Sequence, residues 1–452
     1  MHPYLALLLY IAFISAVLRF DLKRHPRVSG AVWVPLIWMS LSGSRNPSQW
    51  LNLNQWGSDQ FQYFQEYMGG NPTDRAVFLL LILAGLFILF RRRIDKIQLL
   101  KTNLMLFLFI SYCLASLLWS DFPTVAGKRL VKATGDYIMV LVVLTETHFL
   151  ENLEALIRRS GYILIPGSVL LMKYFPYGRI FSPWGGSEYT GVSTSKNMLG
   201  ALCLIYGFYF IWSMVRVRKG EKTLYDRKEY YLYAFMLVMI LWMLLKAPSM
   251  TSTLCLLFSV SMVLVLHFPA IRRNPLRIRF LVIYTAVFLT IIQFSADMIP
   301  DLLAFLGRDM TLTGRIPLWE QLTSMDINPV LGAGYESFWL GGRLEEVWST
   351  HWWHPNQAHN GYLEIYLNLG WTGLILLGGV LYSTYRKAKR SLVENFQYGT
   401  FRMVALTIII IFSLLEAAFK GLHIIWFLFL LAAMEYPTAP GDGESAPRLQ
   451  AL

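Results

Sequence analysis

Apolar runs of roughly 15–20 residues, long enough to cross a bilayer, recur along the whole 452-residue chain. Hydrocarbon offers no partner to a backbone N–H or C=O, so segments of this length must satisfy themselves as helices. Spans are expected at 3–20, 30–43, 75–90, 102–119, 130–147, 160–174, 197–215, 230–246, 252–267, 280–297, 361–383, 401–416 and 423–435. Composition supports this reading: 55% of residues are hydrophobic and 15% charged, where soluble domains carry about a quarter charged residues. Fifteen Trp and 24 Tyr suit a chain with two membrane–water interfaces.

The expected fold is therefore an all-α polytopic membrane protein with about 12–13 transmembrane helices. An N-terminal bundle takes residues 1–297, a large loop 298–360 and the C-terminal spans 361–436. The Gly-, Pro- and Ala-rich segment 437–452 reads as a disordered tail. The first run has no Lys or Arg before it and no small-x-small cleavage site, so it reads as a retained span. Cys113, Cys203 and Cys255 lie inside apolar runs and read as packing residues, with neither a disulfide framework nor a metal cluster.

Basic clusters follow every second span: Arg19/Lys23/Arg24/Arg27, Arg91/Arg92/Arg93/Lys96/Lys101, Arg158/Arg159, Arg216/Arg218/Lys219/Lys222/Arg227/Lys228, Arg272/Arg273/Arg277/Arg279 and Arg386/Lys387/Lys389/Arg390. Positive loops stay cytoplasmic, which predicts an outside N-terminus and an inside C-terminus. The net charge of +12 then lies beside lipid headgroups rather than nucleic acid. Residues 44–74, 175–196 and 298–360 become outer loops. Amphipathic patterns at Asp301–Leu306 and Ile316–Leu322 predict small helices in the third, because a long structureless loop is unusual in a compact protein.

Several cations break the charge rule. Lys128, Arg129 and Lys132 precede or enter the fifth span, with Asp136 one turn deeper. Lys246 and Lys420 end spans, and Lys173, Arg179, Lys196, Arg308, Arg315 and Arg343 lie in or beside outer loops. Charges at such positions are expensive unless they are paired or face a wet cavity. Together they predict an outer anion-binding vestibule. A structural Lys132–Asp136 pair and snorkelling side chains are the plainer alternatives.

Three outer segments carry more specific patterns. The first is Gly191-Val-Ser-Thr-Ser-Lys196-Asn197-Met-Leu-Gly200. The second is Thr313-Gly314-Arg315-Ile-Pro-Leu-Trp319, followed by Gly332-Ala-Gly334-Tyr335. The third, Ala358-His359-Asn360-Gly361-Tyr362-Leu363-Glu364, runs into a span containing Gly370-Trp-Thr-Gly373. In this order the motifs resemble the O-antigen ligase and polymerase superfamily of bacterial membrane glycosyltransferases, most strongly over 180–375. Ser195 departs from the His common before the Lys-Asn pair in the exopolysaccharide branch.

The resemblance implies a GT-C-like bundle in the bacterial inner membrane, with its site facing the periplasm. It implies inverting, metal-independent transfer from a glycan on undecaprenyl diphosphate to a sugar hydroxyl acceptor. Polymerisation of lipid-linked repeat units is the expected role, with ligation to lipid A–core as the alternative. Expected partners are donor, acceptor and membrane lipids, with a chain-length regulator and a flippase; nucleic acid and cofactors are not among them. Arg315 is expected on the departing diphosphate, helped by Arg129, Lys132 and Lys196, since preorganised cations stabilise developing negative charge. His359 is the expected base because its ordinary titration range suits proton transfer near neutrality; a helix cap is the alternative. Glu364 either orients His359 or is itself the base, and Asn197, Tyr335 and Asn360 are expected to bind substrate. His351, His354 and His359 match no standard zinc spacing. A secondary transporter or flippase is the competing class, but no repeated half is visible.

Overall fold

The computed structural model describes residues 2–51, 70–181, 186–218, 227–272 and 315–436. The expected span at 280–297, the Asp301–Leu306 pattern, Arg308 and the tail from 437 onward lie outside these residues.

The chain is an all-α polytopic membrane protein. Its first helices are α1 (Pro3–Arg24), α2 (Trp33–Ser42), α3 (Pro72–Phe90), α4 (Leu104–Ala115), α5 (Pro123–Leu144), α6 (Phe149–Tyr174) and α7 (Lys196–Arg218). After these come α8 (Arg227–Lys246), α9 (Met250–Leu266), the short α10 (Arg315–Ser324) and α11 (Gly342–Thr350), then α12 (Gly361–Glu394), α13 (Phe396–Leu415) and α14 (Ile424–Ala433). Seven of the described helices, α1, α3, α6, α7, α8, α12 and α13, are long and apolar enough to cross a membrane. Helix α5 has the length but carries Lys128, Arg129, Lys132 and Asp136, while α2, α9 and α14 are shorter apolar helices. Each expected span within the described residues falls on one of these helices.

Helices α6, α7 and α13 form the centre, and α1, α3 and α8 form the rim. In their apolar windows, 89%, 78% and 83% of residues are buried in the first group, against 17%, 22% and 28% in the second. Rim residues such as Leu8, Leu80, Phe87 and Val238 are exposed, as expected where lipid replaces protein as neighbour. A two-stranded hairpin, β1 (Arg179–Phe181) with β2 (Ser187–Tyr189), is the sheet present among the described residues. Arg45 fastens this loop to the end of α2. It is fully buried and donates to the carbonyls of Gly191 at 2.9 Å and Tyr177 at 2.5 Å.

Residues 315–360, together with the start of α12, have an apolar core of their own. Leu318 and Leu322 of α10, Leu344 and Val347 of α11, Phe338, Trp339 and Leu367 of α12 pack together. The predicted pattern at Ile316–Leu322 lies in α10.

One expectation needs correction. Arg158, Arg159, Arg216 and Lys387 do not reach headgroups; all are buried. Asp21 of α1 accepts 2.5 Å bonds from both Arg158 and Arg159 of α6. Glu154 pairs with Arg216 at 2.6 Å. Lys387 donates to Ala433 O and Arg402 to Ala432 O, so cations close the carbonyl end of α14, where the helix dipole favours them. Charge counting did not reveal that these cations have partners on neighbouring helices.

Removing one member of a buried ion pair strands the others. Asp21→Asn leaves Arg158 and Arg159 facing a neutral amide and should destabilise the fold by about 3–5 kcal/mol, measured as earlier thermal unfolding of the detergent-solubilised protein.

Candidate functional site

At the end of the bundle that bears α10 and α11, helix α12 begins with a cap. The Asn360 side-chain oxygen accepts from Tyr362 N and Leu363 N, satisfying donors that a helix start leaves open. The preceding residue, His359, has φ +50°, a left-handed backbone that non-glycine residues adopt only when their surroundings enforce it. Those surroundings are visible. Ala358 donates its N–H to Glu364 at 2.9 Å and accepts at its carbonyl from Trp319 Nε1 at 2.7 Å. The Trp353 ring packs against the imidazole, with centroids 5.8 Å apart.

Two turns into α12, Gly370 breaks the helix at φ +63°. The loop before Tyr335 fills the break: Trp371 N donates to Pro329 O, and Ala333 N and Gly334 N donate to Leu367 O and Asn368 O. A Cβ on Gly370 would lie 2.3 Å from Val330 O, so only glycine permits this approach. The Gly370–Gly373 motif therefore docks the loop, and Asn368 Oδ1 extends the seam by accepting from Ser337 N and Phe338 N.

The chemistry converges on Glu416, at the C-terminal edge of α13 and 5% exposed. Its Oε1 accepts from Asn197 Nδ2 at 2.7 Å and from Arg315 Nη2 at 3.2 Å. Its Oε2 lies 3.2 Å from His359 Nδ1. Arg315 Nη1 also donates to Leu415 O at 2.6 Å. One residue from each of the three motif segments thus meets a single carboxylate, and Arg315 and His359 stand on its two oxygens. Because a carboxylate only accepts, this bond takes its hydrogen from Nδ1, so in the neutral imidazole the lone pair is on Nε2. No partner occupies Nε2 among the described residues. The guanidinium has five donors, and the two bonds to Leu415 and Glu416 leave others for an anion. A histidine and an arginine share one anchor.

The other expected residues have different partners. Arg129 donates to Glu336 O at 2.7 Å and lies 3.8 Å from its carboxylate. Lys196 pairs with Glu188 at 2.9 Å. Lys132 sits over the Phe78 ring at 4.1 Å. Asp136 accepts from Trp38 Nε1 at 2.7 Å and Leu422 N at 2.9 Å. Arg343 pairs with Asp121 at 2.6 Å. The expected cationic vestibule is therefore largely charge-compensated in this structure.

Glu364 is a brace. It accepts from Trp339 Nε1 at 2.8 Å and from Ala358 N, and so holds the backbone beside His359 without touching the ring that bonds Glu416. Tyr335 lines a crevice between α4 and α5, where burial raises its phenol well above the usual value; it stays a neutral hydroxyl. His354 stacks on Trp348 and His351 meets Trp353. Among the described residues, no three His, Cys, Asp or Glu side chains gather closely enough to hold a metal ion.

Sequence reasoning missed Glu416. It lies 57 residues from His359 and 101 from Arg315, outside every motif. The available signal was a lone carboxylate ending an apolar span.

Comparison with known proteins adds two findings. The O-antigen ligase family model matches residues 234–378, a range that holds Arg315, Tyr335, His359 and Glu364 but ends before Glu416. The chain is also similar to the exopolysaccharide production protein ExoQ of Rhizobium meliloti (strain 1021). The two are 25% identical over 303 residues, covering 65% of this chain and 67% of that protein.

The bracing role of Glu364 is testable by stability alone. Glu364→Gln keeps one acceptor oxygen but sets an amide NH2 against the donor at the other position, Trp339 Nε1 or Ala358 N, and should lower stability by about 1–3 kcal/mol; an unchanged thermal unfolding midpoint in detergent would show that the brace is dispensable.

Proposed function

We propose, from the match to the O-antigen ligase family over residues 234–378 and the similarity to an exopolysaccharide production protein, that the chain is a member of the O-antigen ligase and polymerase superfamily and polymerises lipid-linked oligosaccharide repeat units at the periplasmic face of the inner membrane. The donor is a glycan on undecaprenyl diphosphate, and the acceptor is a sugar hydroxyl of a second glycan. The observation that carries the reading is the shared carboxylate of Glu416, which sets a histidine with an open Nε2 beside an arginine with unused donors.

The steps follow from that geometry. His359 Nε2 takes the proton of the acceptor hydroxyl, and Glu416 stabilises the resulting imidazolium. The freed oxygen attacks the anomeric carbon from the face opposite the diphosphate, so the new glycosidic bond has inverted configuration. The electron pair of the breaking C–O bond leaves on the diphosphate, where Arg315 meets the growing charge. Protein cations take the place of a divalent ion in this scheme. Asn197 steadies Glu416 from α7, and Asn360 fixes the helix start that aims the imidazole.

A ligase acting on lipid A–core would use the same chemistry with another acceptor. The matched family description, O-antigen ligase, favours that second reading, whereas the exopolysaccharide relative favours the first.

Purified protein in lipid, supplied with a lipid-linked repeat unit, should yield a ladder of longer glycans on gels. His359→Ala should slow it by about 10²–10⁴-fold and Arg315→Ala by about 10²–10³-fold, with each variant still folded. Wild-type ladders from both variants would overturn the assignment. In cells lacking the protein, single-repeat products indicate a polymerase, and long polymer stranded on the lipid carrier indicates a ligase.

A further inference from the structure

Asp136 is a carboxylate sealed inside α5, and an acid in a membrane helix is kept at a cost unless something uses it. Both of its oxygens are taken. Oδ1 accepts from Trp38 Nε1 of α2 at 2.7 Å, and Oδ2 accepts from Leu422 N at 2.9 Å. Lys132, one turn earlier on α5, lies instead over the Phe78 ring at 4.1 Å. The two donors lead in different directions. Trp38 ties α5 to α2, so closely that a Cβ on Gly135 would lie 2.1 Å from the indole. Leu422 leads to the site.

Residues 416–423 form the turn that joins α13 to α14. Glu416 opens it in extended backbone, φ −145°, directly after the last residue of α13. Near the other end Leu422 holds φ +59°, a left-handed conformation that a residue with a side chain keeps only where neighbours enforce it. The bond from Leu422 N to Asp136 is that enforcement. One turn back on α5, Ala133 meets Gly421, where an added Cβ would lie 2.4 Å from it. Between the two ends Ala417, Ala418 and Phe419 are buried, and the Phe419 ring packs 5.2 Å from Tyr362 at the start of α12. The turn is thus pinned to α5 at one end and presents Glu416 to Asn197, Arg315 and His359 at the other.

We propose that Asp136 is a positioning residue for the transfer reaction: through the Leu422 N–H it fixes the turn that carries Glu416, and so the spacing at which His359 and Arg315 meet. In this role it touches neither sugar nor diphosphate. The inference rests on the transferase reading above and adds to it a residue outside the three motif segments. The demand on geometry is steep, because a misplacement of about 1 Å at reacting groups costs on the order of 100-fold in rate. A merely structural carboxylate would act through either of its donors alike, whereas a positioning one acts through Leu422.

The test compares full-length variants in nanodiscs by ladder formation against the concentration of lipid-linked repeat unit, by thermal unfolding, and by deuterium exchange of the peptide holding residues 417–423. Asp136→Ala should lower kcat by about 10–100-fold with KM within about twofold, and should speed exchange in that peptide by about tenfold or more. Adding Leu422→Gly, which accepts a left-handed backbone without strain, should raise kcat at least about threefold over Asp136→Ala alone, although it removes a packed side chain. Trp38→Phe strands the other oxygen and leaves the Leu422 bond; it should lower the unfolding midpoint yet keep kcat within about threefold of wild type. Equal loss of kcat in Trp38→Phe and Asp136→Ala, no recovery in the double variant, or unchanged exchange overturns the proposal. Should Asp136→Ala fail to fold, Gly421→Ala decides, since its Cβ pushes the turn off Ala133 with Asp136 intact; wild-type kcat in that variant overturns the proposal. If Asp136→Ala transfers normally while His359→Ala and Arg315→Ala do not, the positioning role fails and the transferase reading stands. If the wild-type protein joins no repeat units, that reading fails, and exchange alone decides whether Asp136 holds the turn.

Discussion

A carboxylate withdrawn from water at the end of a membrane helix must be compensated, and Glu416 is compensated by the residues on which the site depends. Its two oxygens draw Asn197 from α7, Arg315 from α10 and His359 from the entrance of α12. Charge-assisted bonds of this kind are stronger than neutral ones, and they act here between segments far apart in sequence. Remove the carboxylate and there is no common anchor for the histidine and the arginine.

The same economy of backbone groups governs the rest of the molecule. Where α12 breaks at Gly370, the loop from Pro329 to Gly334 accepts and donates the bonds the helix cannot make internally. Where α14 ends, Lys387 and Arg402 meet its last carbonyls. Where the 416–423 turn adopts a left-handed residue, Asp136 takes its N–H. In each case a polar group that would be a liability in an apolar setting locates one element against another.

The helices were legible because hydrocarbon length is written directly into apolar runs, and each span expected among the described residues has its helix. His359 and Arg315 were legible as motif residues, but their meeting was not, since it runs through a carboxylate that lies in no motif. The roles of Asn360 and Glu364 were open in sequence: a cap and a substrate ligand look alike, as do a brace and a base, until the backbone N–H groups they serve are in place. Charge counting erred differently. The burial of Arg158, Arg159 and Arg216 against the carboxylates of Asp21 and Glu154 depends on helix neighbours that no single run specifies.

The interruption in α12 also sets a height. Residues 361–369 before Gly370 form at most about 14 Å of helix, while the stretch after it, to Glu394, extends about 36 Å, enough by itself for the hydrocarbon layer. His359 therefore stands at the far end of a short helical pedestal, before the longer part of its own helix. In the transfer proposed above, sugars held at that level would remain in the hydrated headgroup zone, where hydroxyls keep their water, while a lipid tail on the leaving group stayed in oil.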